Sequence, residues 1–127
     1  MIWKNGLRIL LLCFMLICLP GCGKKEDVIT ELSYVGNAYE LRYDYFNSEK
    51  TYQFELKAGD VLRIATECTQ GSIDIKIVNL DNEEIYHNEL LASLTEDVTI
   101  ETAGRYIAVL TGKETAGGVH IYVKGDT

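Results

Sequence analysis

A chain of 127 residues with a formal net charge of −7 has the size of one domain, because cores grow to ~100–150 residues before chains split. At 47% hydrophobic, with 11 Gly and 1 Pro, it is neither a disordered chain nor a collagen-like or low-complexity filament. Its 19 acidic against 12 basic residues exclude electrostatic binding to nucleic acid, which needs a basic face to neutralise phosphates.

Met1 to Arg8 carries Lys4 and Arg8 and no acid, and Ile9 to Leu19 is an unbroken apolar run of 11 residues. As a helix that run covers only ~16 Å, about half the hydrocarbon thickness of a bilayer, so it is too short for a stable span. A positive start, a short apolar stretch and small residues after it predict a helical secretory signal peptide over residues 1–21. Leu19-Pro20-Gly21-Cys22 resembles the lipobox of bacterial lipoproteins, with Leu at −3, a small residue at −1 and Cys at +1. The resemblance implies cleavage between Gly21 and Cys22 and a diacylglycerol on the Cys22 thiol. It places the chain at the cell membrane, lipid-anchored on the extracytoplasmic face. The chemistry agrees: Gly21 leaves a peptidase room at the scissile bond, and a thiolate is a good nucleophile for capturing a lipid. Two acyl chains meet the two-signal requirement for lasting attachment. No cofactor is expected other than that covalent diacylglycerol. The mature chain would have 106 residues and, having lost two cations and no acid, a net charge of −9.

Residues 22–33 read as the lipidated N-terminus and a polar tether, Gly23-Lys24-Lys25-Glu26-Asp27 followed by Val28-Ile29-Thr30-Glu31-Leu32. Val28, Ile29 and Leu32 suit one amphipathic turn or a first strand equally well. From there residues 34–127 read as a single domain in which apolar residues recur with period two. Tyr39, Leu41, Tyr43 and Tyr45 alternate with Glu40, Arg42 and Asp44; Tyr52, Phe54 and Leu56 with Gln53 and Glu55. The same pattern runs through Leu62 and Ile64, Ile73 to Ile77, Val98 and Ile100, and Val119 to Val123. This is the signature of antiparallel strands with one face in a core and the other in water. Tyr106 to Leu110 is apolar throughout and predicts a central strand covered on both sides. Turn chemistry separates the runs at 47–50, 57–60, Gln70-Gly71, 81–84, Ala103-Gly104 and Gly117-Gly118. His87 to Leu94 fits a helical turn or a crossover between sheets. The prediction is all-β: an antiparallel, jelly-roll-like β-sandwich of about seven or eight strands.

The spacing Phe54-x-Leu56-x-x-Gly59-Asp60-x-Leu62-x-Ile64, Gly71-Ser72-Ile73-x-Ile75-x-Ile77, Ile85-Tyr86, Gly104-x-Tyr106-x-Ala108-x-Leu110 and Gly118-Val119-x-Ile121 is similar to small jelly-roll sandwiches of the bacterial pre-peptidase C-terminal type. It also resembles Gram-positive lipoproteins that carry such a module. The resemblance covers about residues 50–124 and implies a non-catalytic sandwich; some such domains help secreted enzymes attach to a substrate or surface. Residues 1–49 read as signal peptide, tether and strands and not as an enzyme module, a departure from that pattern.

Few residues carry chemistry. His87 and His120 are isolated, with no second His or Cys at ligand spacing. The turn Asp81-Asn82-Glu83-Glu84 offers oxygen ligands but lacks the loop length and central Gly of a helix-loop-helix calcium site. No serine sits in a nucleophile elbow, and Glu83-Glu84 and Glu96-Asp97 are adjacent rather than opposed as glycosidase chemistry requires. Cys68, in phase with Leu62, Ile64 and Thr66, reads as a small buried hydrophobe. The candidate ligand-binding residues are Tyr39, Tyr43 and Tyr45, which share one phase of one strand. Facing solvent they would form an aromatic strip for a sugar or protein partner, and facing inward they are core. The expected role is a non-catalytic binding module for an envelope protein or glycan, with the membrane engaged through the lipid. The alternative is a structural or assembly subunit of an envelope complex. A hydrolase would need a pocket with two facing titratable groups.

Overall fold

The computed structural model describes residues 25–125. The predicted signal helix, the cleavage site at Gly21 and Cys22, and Cys22 as lipid acceptor lie outside them. Seven strands follow in order: β1 (Val28–Val35), β2 (Ala38–Phe46), β3 (Glu49–Leu56), β4 (Val61–Asn79), β5 (Glu84–Leu90), β6 (Leu94–Thr99) and β7 (Gly104–Val123). Every pairing is antiparallel, and the described residues contain no helix.

β4 and β7, of 19 and 20 residues, are more than twice as long as any other strand of the fold, and they make it. The first half of β4 pairs with β6 and with the second half of β7; its second half pairs with β5 and with the first half of β7. β2 joins the second half of β7, and β3 joins the first half. The continuous ladder therefore folds into two layers. The front sheet runs β1, β2, second half of β7, first half of β4, β6. The back sheet runs β3, first half of β7, second half of β4, β5. With each half of β4 and β7 counted as a strand, β2 to β7 supply the two interlocked four-stranded layers of a jelly roll, and β1 is an addition at the front edge. The expected sandwich is what forms.

The bend falls where the register slips, between Cys68 and Ser72 on β4, opposite residues 113–117 of β7. Gln70-Gly71 and Gly117-Gly118, expected to be turns between strands, are instead corners within them. Glycine permits a left-handed backbone equally in a hairpin and in a bulge, so its presence did not distinguish the two. At Gly71 (φ 63°) and Gly117 (φ 138°) the crossing backbones also leave no room for a Cβ. Glu114 holds a positive φ of 48° without being glycine; its N–H donates to Asn47 Oδ1 at 3.1 Å, which ties the β7 corner to the β2–β3 turn.

Between the layers lies one core. β2 contributes Tyr39, Leu41 and Tyr43, and β4 contributes Leu62, Ile64, Ile73, Ile75 and Ile77. Phe54, Leu90, Tyr106, Leu110, Val119 and Ile121 are among the others in it. Each such side chain is worth ~1.5–3 kcal/mol in area removed from water, and among the described residues no disulfide assists, since Cys68 is a free buried thiol. Tyr106 and Leu110 point inward, but Ile107 and Val109 are only half-buried on the outer face. That strand is central in its sheet without being covered on both sides. His87 to Leu94 resolves as the end of β5, a crossover at 91–93, and the start of β6 in the other sheet.

Residues 28–32, open between turn, strand and tether in the sequence, are part of β1 (Val28–Val35), which runs in register with β2 from Leu32↔Leu41 to Val35↔Ala38. The ordered unit thus takes in much of the segment read as tether. Asn37, in the β1–β2 turn, closes the flank of the sandwich. Its Nδ2 donates to the Glu55 carbonyl at 2.8 Å and its Oδ1 accepts from the Glu55 N–H at 3.3 Å, as a neighbouring strand would. The Tyr34 hydroxyl donates to the Gln53 carbonyl beside it. Replacing Asn37 by Ala leaves the β3 edge unpaired at Glu55, and the expected cost is about 1–2 kcal/mol in urea unfolding.

Candidate functional site: the outer face of the front sheet

The tyrosine strip is the first correction. Tyr39, Tyr43 and Tyr45 are 0%, 2% and 7% exposed. Their phase faces the back sheet because Leu41 lies on the same side and the apolar set is buried together. Tyr39 packs against Tyr52 with ring centroids 3.5 Å apart, and Tyr43 against Phe46 at 5.1 Å. These three tyrosines form no ligand-accessible strip.

Burial leaves a titration signature. The hydroxyls of Tyr39 and Tyr43 have no hydrogen-bond partner. Burial pushes the Tyr39 phenol far up, and burial with the nearby Cys68 thiol pushes Tyr43 up to about 12. Tyr86, partly buried and donating to Glu96 Oε1 at 2.9 Å, is also raised to about 12. Because the folded values lie above the unfolded value of about 10, these groups contribute stability that is fully present below pH 10 and lost as pH rises toward 12. Urea midpoints should hold level to about pH 9.5 and then fall, less steeply in Tyr43→Phe. Midpoints that stay level to pH 11.5 would contradict the burial argument.

The opposite phase of the same strands is the outer face of the front sheet, and register sets its residues in rows. One row runs Val35, Ala38, Tyr122, Arg63, Asp97; the next Ser33, Glu40, His120, Ala65, Thr95; the third Glu31, Arg42, Gly118, Glu67. At the centre His120 and Tyr122 stand two residues apart on β7, with ring centroids 4.4 Å apart at 34°. Ala38, Ala65 and Gly118 are small, so the floor beside the rings is low. A depression of about 200 Å³ opens on the His120 side, over Ala65 and Gly118 and edged by Glu40, Arg42 and Glu67, with Tyr122 and Ala38 in the adjoining row outside it. A side chain at Gly118 would press on the Leu41 carbonyl oxygen and the Arg42 stem.

Charge frames the rings. Arg42 lies 3.1 Å from Glu40, 3.3 Å from Glu67 and 3.9 Å from Glu31, which holds its guanidinium firmly protonated, Glu40 most strongly. On the other side Arg63 makes a two-point contact with Asp97 at 2.8 and 3.0 Å, and the Asp97 carboxyl is lowered chiefly by that hydrogen bond. One guanidinium among three carboxylates leaves acceptor oxygens in excess beside a half-buried aromatic pair. That suits a neutral ligand rich in hydroxyl donors and disfavours an anion.

A larger cleft of about 740 Å³ lies at the flank, lined by Tyr34, Asn37, Gln53, Glu55, Lys57 and Arg105 among others. Three of its polar side chains are committed within the fold: Asn37 and Tyr34 to the β3 backbone, and Arg105 to Glu55 at 3.2 Å. It closes the sandwich edge. His87, read as isolated, lies 2.8 Å from Asp74 on the back sheet. Among the described residues no three of His, Cys, Asp and Glu gather as a metal-ligand set.

No family model and no curated protein matches the sequence. Among solved structures the chain is similar to CBM4, at 10% identity over 82% of this chain and 79% of that one, with a TM-score of 0.41. PirA gives 10% identity over 72% and 96%, TM-score 0.45. TmCBM61, solved in complex with β-1,4-galactotriose, gives 16% over 72% and 64%, TM-score 0.40. At identities this low the likenesses say nothing of what this chain binds.

The sequence placed Glu40, Arg42, His120 and Tyr122 on outward phases, but treated His120 as alone. Only the β2–β7–β4 neighbour order brings them together.

Proposed function

We propose that the chain is a lipid-anchored, extracytoplasmic, non-catalytic binding module whose outer front sheet takes a glycan. The His120–Tyr122 pair, with a small-residue depression and excess carboxylates on its His120 side, carries this reading. Sugar rings present an apolar C–H face to an aromatic plane and hydroxyl donors to carboxylates, and both are offered side by side. The site holds no nucleophile next to a base, which supports binding rather than turnover.

Glycan-array binding of the mature chain tests it. Tyr122→Ala and His120→Ala should each weaken retention at least about tenfold, the loss of one stacking platform in a small site, with the melting temperature little changed. Retention untouched by both substitutions, or an array that stays blank, would count against the glycan reading and favour an assembly role.

A further inference from the structure

The tether does not leave the sandwich at random. The Asp27 carboxylate accepts from the Asn47 N–H at 2.8 Å and from the Ser48 hydroxyl, and the Lys25 ammonium sits over the Tyr45 ring at 4.4 Å. Both contacts hold residues 25–27 against the corner end of the sandwich, where Lys25 shares a cleft with Gln70, Gly71, Lys113 and Glu114. From Cys22 to Lys25 is three residues, which reach about 11 Å at most in any conformation.

The same end carries the crossover Leu91-Ala92-Ser93-Leu94, an uncharged stretch in a chain that is 24% charged. Leu91 is 75% and Leu94 41% exposed. The crossover is fastened to the corner, since Ser93 Oγ accepts from the Cys68 N–H at 3.2 Å. Cys68 is two residues from the Gln70 that lines the Lys25 cleft.

We infer that the corner end of the sandwich rests on the lipid surface, with Leu91 and Leu94 entering the headgroup–acyl boundary. This rests on the proposed anchor at Cys22. A lipid there must lie within the reach of three residues of the end that presents the leucines, so the bilayer is the occupant that geometry supplies. Two leucines are too little apolar surface to hold the protein without the anchor, but enough to fix its orientation once anchored. The strands then stand away from the bilayer. The turn at 80–83, a half-strand of β4 distant, lies roughly 25 Å further out.

The test uses the full chain, purified from cell membranes and reconstituted into phosphatidylethanolamine–phosphatidylglycerol vesicles. In Leu91→Cys and Leu80→Cys variants the new thiol is reacted with a bulky, impermeant maleimide, with the unsubstituted chain as baseline for buried Cys68. Leu80 is 65% exposed at the distal turn. Cys at position 80 should react roughly tenfold faster than Cys at 91 on vesicles, and the two should converge in the Cys22→Ala chain in solution. Equal rates in a vesicle-bound chain overturn the orientation alone. A chain that never partitions with membranes overturns the anchor and the orientation together.

Discussion

Gly117→Ala should remove a large share of the protein's stability, and Gly71→Ala should come close. At Gly117 an added Cβ would fall onto the Glu67 carbonyl group, and at Gly71 onto the carbonyl oxygens of Lys113 and Glu114. These are backbone atoms of the strand crossing at the corner, so no side-chain rotation relieves the overlap. Both positions also hold a φ that a side chain strains, at ~1–3 kcal/mol each. A loss of about 3–5 kcal/mol per site is expected, against a total of ~5–15 kcal/mol for a domain. Gly36 is the control. It has a φ of 58° but open space where a Cβ would stand, so Gly36→Ala should cost only about 1 kcal/mol. Urea titrations followed by circular dichroism will rank the three. If Gly117→Ala behaves like Gly36→Ala, the corners are looser than the crossing backbones imply.

Cys22→Ala should move nearly all of the protein from the membrane pellet to the soluble fraction. In the proposed reading the two acyl chains supply the attachment, at ~0.8 kcal/mol per buried CH₂. The mature net charge of −9 adds no attraction to an anionic leaflet. Fractionation of cells, with mass spectrometry of the N-terminal peptide for the diacylglycerol, gives the answer directly. A Cys22→Ala chain that still pellets would overturn the anchor.

The geometry of the front sheet explains why the tyrosines misled as candidates. Tyr39, Tyr43 and Tyr45 are the most conspicuous side chains on β2, yet they sit on the phase that also holds Leu41. The outward phase of that strand carries Glu40 and Arg42 instead. Arg42 meets its third carboxylate, Glu67, across Gly118 of β7, and no local pattern links those three positions. His120 likewise gains meaning from Tyr122 beside it and from the small residues on its neighbours.

Alternation of side chains across a strand is set by covalent geometry, so the sequence alone determined the all-β class and the inward and outward faces of nearly every strand. It also determined the buried Cys68 and the acidic surface. Tertiary structure decided what alternation cannot encode: which strands are neighbours, that Val28–Val35 pairs as an added strand at the front edge, and that Gly71 and Gly117 are corners rather than turns. The reason is that partner choice in a sandwich comes from burying two faces together across distant stretches of chain. A glycine records only that the backbone may bend there, and what crosses it fixes how.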